Sequence, residues 1–305
     1  MNHRPFPRGV RVADAERFVY TRGRLLERRR LDLLLHGGGP EGVLAALGAY
    51  RNPDGGFGHG LEPDVRSPVS EPIATLTALD LLAGWDLAEH PWFRSALEWA
   101  APESGLDGSL PFVTEPSLAW PHAPWVQPWP GGSHLTFGFA AAALRTGFTG
   151  GWAEAAVAWC RSQVKDGELS AYAVKYALRF LAADRGPTAD GPAGLAAIES
   201  WRSRLDHDGA LPVEGGAEGE RLHPWDLAAD PWSTPDVEDR AGTTAGRRLF
   251  TDKQLRADLD RIAMGQQPDG GWHVDWPAWC PGQGLDWRGI RTVEVLQLFS
   301  DADRS

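Results

Sequence analysis

The sequence contains few cysteines and no long hydrophobic run. Its 305 residues include two cysteines, Cys160 and Cys280, which cannot build a disulfide framework or a Cys-rich zinc site. No apolar run reaches the roughly 18 residues that cross a bilayer, so we expect no integral membrane segment. Residues 1–20 carry several charges and no apolar centre, which is unlike a signal peptide. Together these features predict a cytoplasmic protein.

The chain also lacks the positive charge that a nucleic-acid partner requires. Its formal net charge is −11, its pI is about 5.3, and lysine occurs only at positions 165, 175 and 253. Proteins that bind a phosphate backbone usually present a basic face, so we expect no nucleic-acid partner. A charged fraction of 23% and a hydrophobic fraction of 42% are typical of an ordinary globular protein.

Tryptophan and proline, in contrast, are abundant. There are 15 tryptophans and 24 prolines, and many of the tryptophans stand beside prolines in segments that look like loops. One interpretation is that aromatic–proline packing fixes long loops over helix ends. The other is that some of the rings line an apolar or sugar-binding cavity. The tryptophans considered for the second role are Trp120, Trp125, Trp276 and Trp279.

One phrase is repeated along the chain. QPDGGW at 267–272 has a second copy, NPDGGF, at 52–57, and weaker copies occur at 107–112, 166–169 and 208–213. The proline and the paired glycines of this phrase favour a tight turn, because glycine adopts positive φ without steric cost. A turn motif that recurs at irregular intervals indicates a repeat of helix, turn, loop and helix with loops of variable length.

Two kinds of helix alternate with these turns. Segments such as 14–35 and 152–163 are amphipathic, whereas 73–82 and 137–144 are apolar on nearly every side. The apolar helices should form an inner layer and the amphipathic helices an outer one. Roughly ten to twelve such helices favour a closed double ring over an open solenoid, which would need polar caps at its ends. We therefore predict one all-α domain spanning 1–305, with Trp/Pro-rich loops.

The phrase QPDGGW at 267–272 resembles the repeat motif of the squalene/terpene cyclase and protein prenyltransferase superfamily, and NPDGGFG at 52–58 resembles a second copy. The chain as a whole looks like uncharacterised bacterial single-domain members of that group. The resemblance implies an (α/α)6 toroid and a small hydrophobic, isoprenoid-like ligand. It covers most of the chain through the repeat, but the specific motif is confined to these two copies.

The catalytic motifs of that superfamily are missing. Type II terpene cyclases use an Asp-x-Asp-Asp motif, and the nearest match is DVED at 236–239, where glutamate replaces the middle aspartate. We interpret that segment as a solvated acidic loop. His273, Asp275 and Cys280 lie close together in sequence, but their spacing does not match the zinc site of prenyltransferases. The Asp-rich Mg²⁺ motif of ionising synthases is also absent, so we expect no metal and no cofactor.

The predicted architecture ranks the remaining polar residues. In a double ring, the segment from each glycine turn into the following inner helix borders one mouth of the cavity. Asp54 and Asp269 should cap their own turns through hydrogen bonds to the backbone. Glu62 and Asp64 form either a coupled acid–base pair or ion pairs with an arginine such as Arg66 or Arg288. The candidate catalytic residues are Asp64, Asp275, Glu62 and Asp286.

The candidate ligand-binding residues come from the same segments. Tyr172 and Tyr176 are one helical turn apart and share a face. His134, at the start of an apolar helix, is either a ligand contact or a hydrogen-bonded core residue. Further polar residues at the predicted mouths include Glu71, Glu115, His122, His223 and Asp226. The substrate-binding candidates are His59, Trp120, Trp125, His134, Tyr172, Tyr176, Trp276, Trp279 and Arg288.

Three functions are compatible with these residues. In a cyclase-like enzyme, a buried carboxylic acid, first Asp64 or Asp275, donates a proton to an alkene and aromatic rings stabilise the carbocation. A carbohydrate-active protein of (α/α)6 fold would use stacked tryptophans and paired carboxylates. The third function is non-catalytic binding or scaffolding. The sequence does not define the oligomeric state, because the arginine-rich face of residues 22–30 suits solvent and an interface equally.

Overall fold

The computed structural model describes residues 6–128, 131–166, 168–184, 191–232 and 246–302. Two short strands, β1 (Leu211–Pro212) and β2 (Arg221–Leu222), pair antiparallel. None of the described helices is both long and apolar enough to cross a membrane. The all-α prediction is confirmed. The helices are α1 (Val12–Arg22), α2 (Leu25–His36), α3 (Glu41–Gly48), α4 (Pro72–Gly84), α5 (Pro91–Glu103), α6 (Leu135–Thr146), α7 (Gly151–Asp166), α8 (Ala171–Ala183), α9 (Pro192–Ser203), α10 (Pro224–Ala228), α11 (Asp252–Met264) and α12 (Pro281–Ala302).

The chain forms two compact units. Unit 1 comprises residues 1–50 and 255–305, and unit 2 comprises residues 51–254. In unit 1, α12 packs against α1 and α2, and α2 packs against α3. In unit 2, α6 packs against α4, α7 and α8. The single closed ring of 1–305 stays a prediction.

The repeated phrase folds into the same turn in both strong copies. The first glycine of each pair, Gly55 and Gly270, has φ of +97°, a conformation that L-residues with side chains rarely adopt. The aspartate before it caps the turn. Asp54 Oδ1 accepts the N–H of Gly56 at 3.0 Å, and Asp269 Oδ1 accepts that of the second glycine of its pair at 3.3 Å. The predicted turn-capping role of both aspartates is therefore confirmed.

A threonine of the following helix anchors each turn. The N–H of Phe57 donates to Thr75 Oγ1 at 3.0 Å, and the N–H of Trp272 donates to Thr292 Oγ1 at 3.2 Å. The weaker copy at 107–112 uses Thr136 Oγ1 in the same way, at 2.9 Å. All three threonines are fully buried. The repeat is therefore a structural unit that links a turn to a buried helix.

The turn glycines also pack tightly against neighbouring helices. A Cβ added to Gly55 would lie 2.9 Å from the carbonyl oxygen of Ser95 on α5, and one added to Gly270 would lie 2.1 Å from that of Asp14 on α1. A side chain at either position would therefore clash with backbone. The second contact brings the last copy of the turn onto the first helix of the chain, within unit 1.

Three helices of unit 2 lie side by side and form its interior. α6 is buried along nearly all of its length, and its Gly138 has no room for a side chain. A Cβ there would lie 2.6 Å from Leu76 on α4 and 3.2 Å from Tyr176 on α8. Farther along the same two helices, Asp80 of α4 contacts Arg179 of α8. Since both contacts join equivalent halves of the helices, α4 and α8 run in the same direction.

Two predicted boundaries were wrong. The single helix predicted at 14–35 is two helices, because the chain becomes extended at Gly23, with ψ of 154°. The final helix begins at Pro281 instead of near 289, so Asp286 and Arg288 lie on α12 and not in a loop. The arginine-rich face is also not uniformly solvated, since Arg30 is only 4% exposed.

Candidate functional site

Two loops of unit 2 pair with each other beside the N-terminal end of α4. Val65 and His122 form an antiparallel bridge. The N–H of Arg66 donates to the carbonyl of Pro121 at 2.9 Å, and the N–H of Ala123 donates to that of Asp64 at 2.8 Å. The structure thereby brings together several predicted residues that are distant in sequence, namely Glu62, Asp64, Trp120 and Trp125.

The two predicted carboxylates are buried and already make specific hydrogen bonds. Asp64 Oδ2 accepts the indole N–H of Trp125 at 2.8 Å. Glu62 Oε2 accepts the backbone N–H of Asp64 at 2.7 Å. Asp64 is 8% exposed and Glu62 is 5% exposed. Both carboxylates therefore support the loop on which they lie, and Asp64 also fixes the position of an aromatic ring.

The aromatic and histidine candidates of these loops face outward. Trp120 and Trp125 are 45% and 41% exposed. His59 is exposed, has φ of +57°, and its Nε2 lies 3.0 Å from Asn52 Oδ1. These three side chains are therefore exposed to solvent and do not line an enclosed cavity.

Glu71 is a buried carboxylic acid at the N-cap position of α4. It is 0% exposed, and neither of its oxygens has a hydrogen-bond partner among the described residues. Burial raises its pKa to about 8, although the nearby Ser117 hydroxyl acts to lower it. Ser117 lies in the 3-10 helix Glu115–Ala119, and its Oγ is 2.9 Å from Thr114 Oγ1. Glu71 therefore holds a proton at neutral pH.

A group of stacked rings lies at the N-terminal ends of α6 and α8. The ring of His134 is near-parallel to those of Tyr172 and Tyr176, with centroids 6.0 and 5.4 Å away, and Phe112 is tilted against it at 5.4 Å. Desolvation by burial lowers the pKa of His134 to about 3, so the ring is neutral at physiological pH. Tyr172 donates to Glu220 Oε1 at 2.8 Å. The structure thus unites three of the predicted binding residues.

The two parallel helices α4 and α8 each leave one stripe incompletely buried. On α8 the stripe has the spacing i, i+3, i+4 and i+7 and is polar, and on α4 it is apolar except for Thr77 and Asp80. Asp80 Oδ2 lies 2.8 Å from Arg179 Nη1. The Asp80 side chain is 28% exposed, yet desolvation raises its pKa. The Asp80–Arg179 ion pair therefore joins the two helices at a position that is only partly shielded from solvent. The half-buried residues of the α8 stripe are Tyr172, Lys175, Tyr176 and Arg179.

The other predicted residues lie in unit 1 and are less enclosed. Asp275 is exposed and is therefore not the buried acid that the predicted proton transfer requires. Trp276 packs edge-on against Trp287 at 5.2 Å. The indole nitrogens of Trp276 and Trp279 have no hydrogen-bond partner among the described residues. Asp286 is half-buried on α12.

Arg288 already binds the aspartate of the last repeat turn. It donates two hydrogen bonds to Asp269, at 2.9 and 2.7 Å, and its guanidinium lies 4.6 Å from the ring centroid of Phe18. This arrangement favours a structural role over the predicted contact with a ligand.

A cluster of three side chains of metal-ligating type lies elsewhere in the described chain. Asp206, His207 and Asp208 can place their ligand atoms within 4.8 Å of one another, whereas His273, Asp275 and Cys280 form no such group among the described residues. Asp206 already accepts two backbone N–H groups of its turn and pairs with Arg221 at 2.8 Å. A surface groove of about 350 Å³ borders the same aspartate, and no predicted site residue lines it. The DVED segment at 236–239 lies outside the described residues.

Sequence comparisons give no match, but structural comparisons do. No protein-family model and no curated protein sequence matches the chain. A crystal structure of a protein from Actinoplanes is similar at 19% identity, with 96% of this chain and 98% of that one covered and a TM-score of 0.57. The type II terpene cyclase MstE from Scytonema, without ligand, is similar at 15% identity, with 96% and 97% covered and a TM-score of 0.55.

A second structure of the same cyclase contains its substrate. An arginine-to-alanine variant of MstE in complex with geranylgeranyl dihydroxybenzoate aligns with this chain at 15% identity, 96% and 97% coverage and a TM-score of 0.53. At such low identity the likeness concerns the fold alone. The protein therefore has the all-α fold of a type II terpene cyclase.

Proposed function

We propose that the protein binds a small isoprenoid-like molecule beside the N-terminal ends of α4 and α8 and converts it by acid-initiated cyclisation or isomerisation. The observation that carries this proposal is Glu71, a fully buried carboxyl group at the start of α4 whose oxygens have no hydrogen-bond partner among the described residues. Its position in a fold shared with a type II terpene cyclase supports the assignment.

The chemistry requires a proton donor and a means of stabilising positive charge. Glu71 would donate its proton to an alkene carbon, leaving a carboxylate and a carbocation. Loss of a proton from the product cation would restore the acid, so no co-reactant is needed. An acid with pKa of about 8 is a weak donor. The faces of Tyr172 and Tyr176 would therefore have to stabilise the cation strongly.

Access to Glu71 is part of the proposal. The side chain is 0% exposed, so its proton cannot reach a ligand while Ser117 and the 3-10 helix Glu115–Ala119 cover it. We therefore expect ligand binding to displace that short helix. Asp64, which is 8% exposed and hydrogen-bonded to Trp125, is the second candidate acid.

Turnover of prenylated substrates tests the proposal. The protein is incubated with geranylgeranyl dihydroxybenzoate and with geranylgeraniol, and products are identified by mass spectrometry. We expect an isomer of unchanged mass from at least one of these compounds, and a loss of at least about 100-fold in rate for Glu71→Gln. Asp64→Asn distinguishes the two acids, and Glu98→Gln, on the surface of α5, is the control.

The variants identify which residue is the acid, and the bound ligand identifies the class of substrate. Full activity of Glu71→Gln combined with an inactive Asp64→Asn would transfer the acid role to Asp64. Native mass spectrometry of protein purified from its own host gives an independent check, since a co-purifying isoprenoid is expected. A bound saccharide instead would overturn the isoprenoid assignment.

A carbohydrate ligand is the second candidate, because Trp120 and Trp125 expose large ring surfaces beside Asp64. Exposed indole rings stack on sugars, and paired carboxylates carry out their hydrolysis. Against this, Glu62 and Asp64 are both committed to hydrogen bonds within their own loops. Quenching of tryptophan fluorescence by oligosaccharides in the natural protein, abolished in Trp125→Ala, would favour this function.

A further inference from the structure

The segment that covers Glu71 is joined to the rest of unit 2 by few buried side chains. It comprises residues 114–126, which we call the flap, and it includes the 3-10 helix Glu115–Ala119. Most of its side chains are half-buried or exposed. Its buried residues are Ser117, Ala123 and Val126. A segment with so little buried surface opens locally at a lower free energy than the helices beneath it.

Two backbone hydrogen bonds hold the far end of the flap. They join Pro121 to Arg66, at 2.9 Å, and Ala123 to Asp64, at 2.8 Å. The chain before the flap is fixed more firmly, since the N–H of Leu110 donates to the buried Thr136 Oγ1 at 2.9 Å. A rotation about the start of the flap would therefore have to break the two bonds at its far end.

One side-chain hydrogen bond reinforces this pairing. The indole N–H of Trp125, on the flap, donates to Asp64 Oδ2 at 2.8 Å. Asp64 thus binds the flap through its side chain as well as its backbone. Among the described residues, two further side-chain hydrogen bonds lie within the flap itself, namely Thr114–Ser117 and His122–Trp120. The Asp64–Trp125 contact is therefore the one whose loss should release the flap.

We propose that the Asp64–Trp125 hydrogen bond is a latch that keeps the flap closed over Glu71, and that the substrate reaches Glu71 when this latch opens. Asp64 then controls access and does not itself donate a proton. The inference rests on the proposed function with Glu71 as the acid, because it describes how the same site is reached. The opening itself needs no ligand, so it can be measured separately from turnover.

Labelling of a buried thiol measures the opening. Ser117→Cys places a thiol under the flap, at a position that is 0% exposed, and the natural Cys160 on α7 is also 0% exposed and reports unfolding of the surrounding helices. Both are labelled with iodoacetamide, and each rate is divided by its rate in the denatured chain. The thiol at position 117 should react at least about 10-fold faster than Cys160. Equal corrected rates would overturn the flap.

Removal of the indole donor tests the latch. In the Ser117→Cys protein, Trp125→Phe should raise the labelling rate at position 117 about 5- to 10-fold and leave that of Cys160 unchanged. Trp120→Phe is the matched control, because it is the same substitution in the same segment and its indole donates no hydrogen bond to the described residues. It should change the rate by less than about 2-fold. The same rate in both variants would overturn the latch.

A disulfide that locks the flap gives an effect of opposite sign. Val65 and His122 face each other in the bridge without sharing its two hydrogen bonds, and the Cα atoms of such a pair lie about 4.5 Å apart, within the range of disulfides. The oxidised Val65→Cys/His122→Cys protein should lose prenylated-substrate turnover at least about 10-fold and regain it on reduction. Full turnover while oxidised would overturn entry through the flap and leave Glu71 as the acid. If wild-type protein converts no prenylated substrate, the proposed function fails, and the labelling rates still decide the latch.

Discussion

Arg288 and Asp269 form a bidentate ion pair that links the last repeat turn to α12. The two hydrogen bonds measure 2.9 and 2.7 Å, and Asp269 Oδ1 also accepts a backbone N–H of the turn. In the first copy of the turn, Asp54 accepts a hydroxyl from Ser70 at 2.7 Å instead. The same turn thus closes with an arginine in one unit and with a serine in the other.

Removal of this pair should destabilise the protein modestly and only above acidic pH. The hydrogen bond from Arg288 lowers the pKa of Asp269, so the stabilisation is present above the unfolded-state pKa and is lost as pH falls through the folded-state pKa. The Asp269 side chain is 42% exposed, so screening should limit the coupling to below about 1 kcal/mol. A double-mutant cycle of Asp269→Asn and Arg288→Gln measures it. Coupling that persists unchanged at pH 2 would contradict this prediction.

Glu71 should make the folded protein less stable as pH rises. Its folded-state pKa is about 8 and its ordinary value is 4.5, so between those values the folded state holds a proton that the unfolded state has lost. The free energy of unfolding should therefore fall by up to about 1.4 kcal/mol per pH unit in that window. Glu71→Gln should remove this slope, as measured by denaturant unfolding at pH 5, 7 and 9. An unchanged slope in Glu71→Gln, matching that of Glu98→Gln, would refute the buried neutral acid.

His134 should make the folded protein less stable as pH falls into the acidic range. Burial lowers its pKa from 6.5 to about 3, so the unfolded state takes up a proton in this range and the folded state does not. Stability should therefore fall as pH drops from 6.5 towards 3, by up to about 1.4 kcal/mol per pH unit. His134→Gln should show a shallower acid dependence than wild type. His207→Gln, at a side chain that is 86% exposed, should not. Equal acid slopes in both variants would exclude a buried neutral histidine.

Gly138 should not tolerate a side chain. A Cβ there would lie 2.6 Å from the Leu76 side chain and 3.2 Å from that of Tyr176, so Gly138→Ala must displace the Leu76 side chain or move α6 away from it. We expect a loss of about 1–3 kcal/mol from overpacking, partly offset by the better helix propensity of alanine. Gly151→Ala is the control, because nothing lies within 4 Å of its added Cβ. Thermal unfolding of both variants would decide, and a Gly138→Ala protein as stable as Gly151→Ala would be contrary to expectation.

The sequence predicted the repeat and the helical class because both are local properties. Glycine at positions 55 and 270 permits the positive φ of the turn without help from distant segments. Asp54 and Asp269 cap their turns through hydrogen bonds to the neighbouring backbone. The apolar character of α4 and α6 likewise predicted that they are buried. The break at Gly23 was missed, because the helical pattern of 14–35 continues on both sides of it.

Only the tertiary structure decided which polar residues lie in the interior. The sequence placed Glu71 among the polar residues at the predicted cavity mouths but did not rank it as a catalytic acid, although a glutamate is unusual at a helix start, where serine, threonine, aspartate or asparagine is preferred. Asp80 could have been noticed as the one charge of an apolar helix. Their desolvation, however, depends on segments distant in sequence, since Ser117 lies beside Glu71 and Arg179 contacts Asp80. Spacing along a chain specifies the face of a helix, but burial depends on what packs against that face.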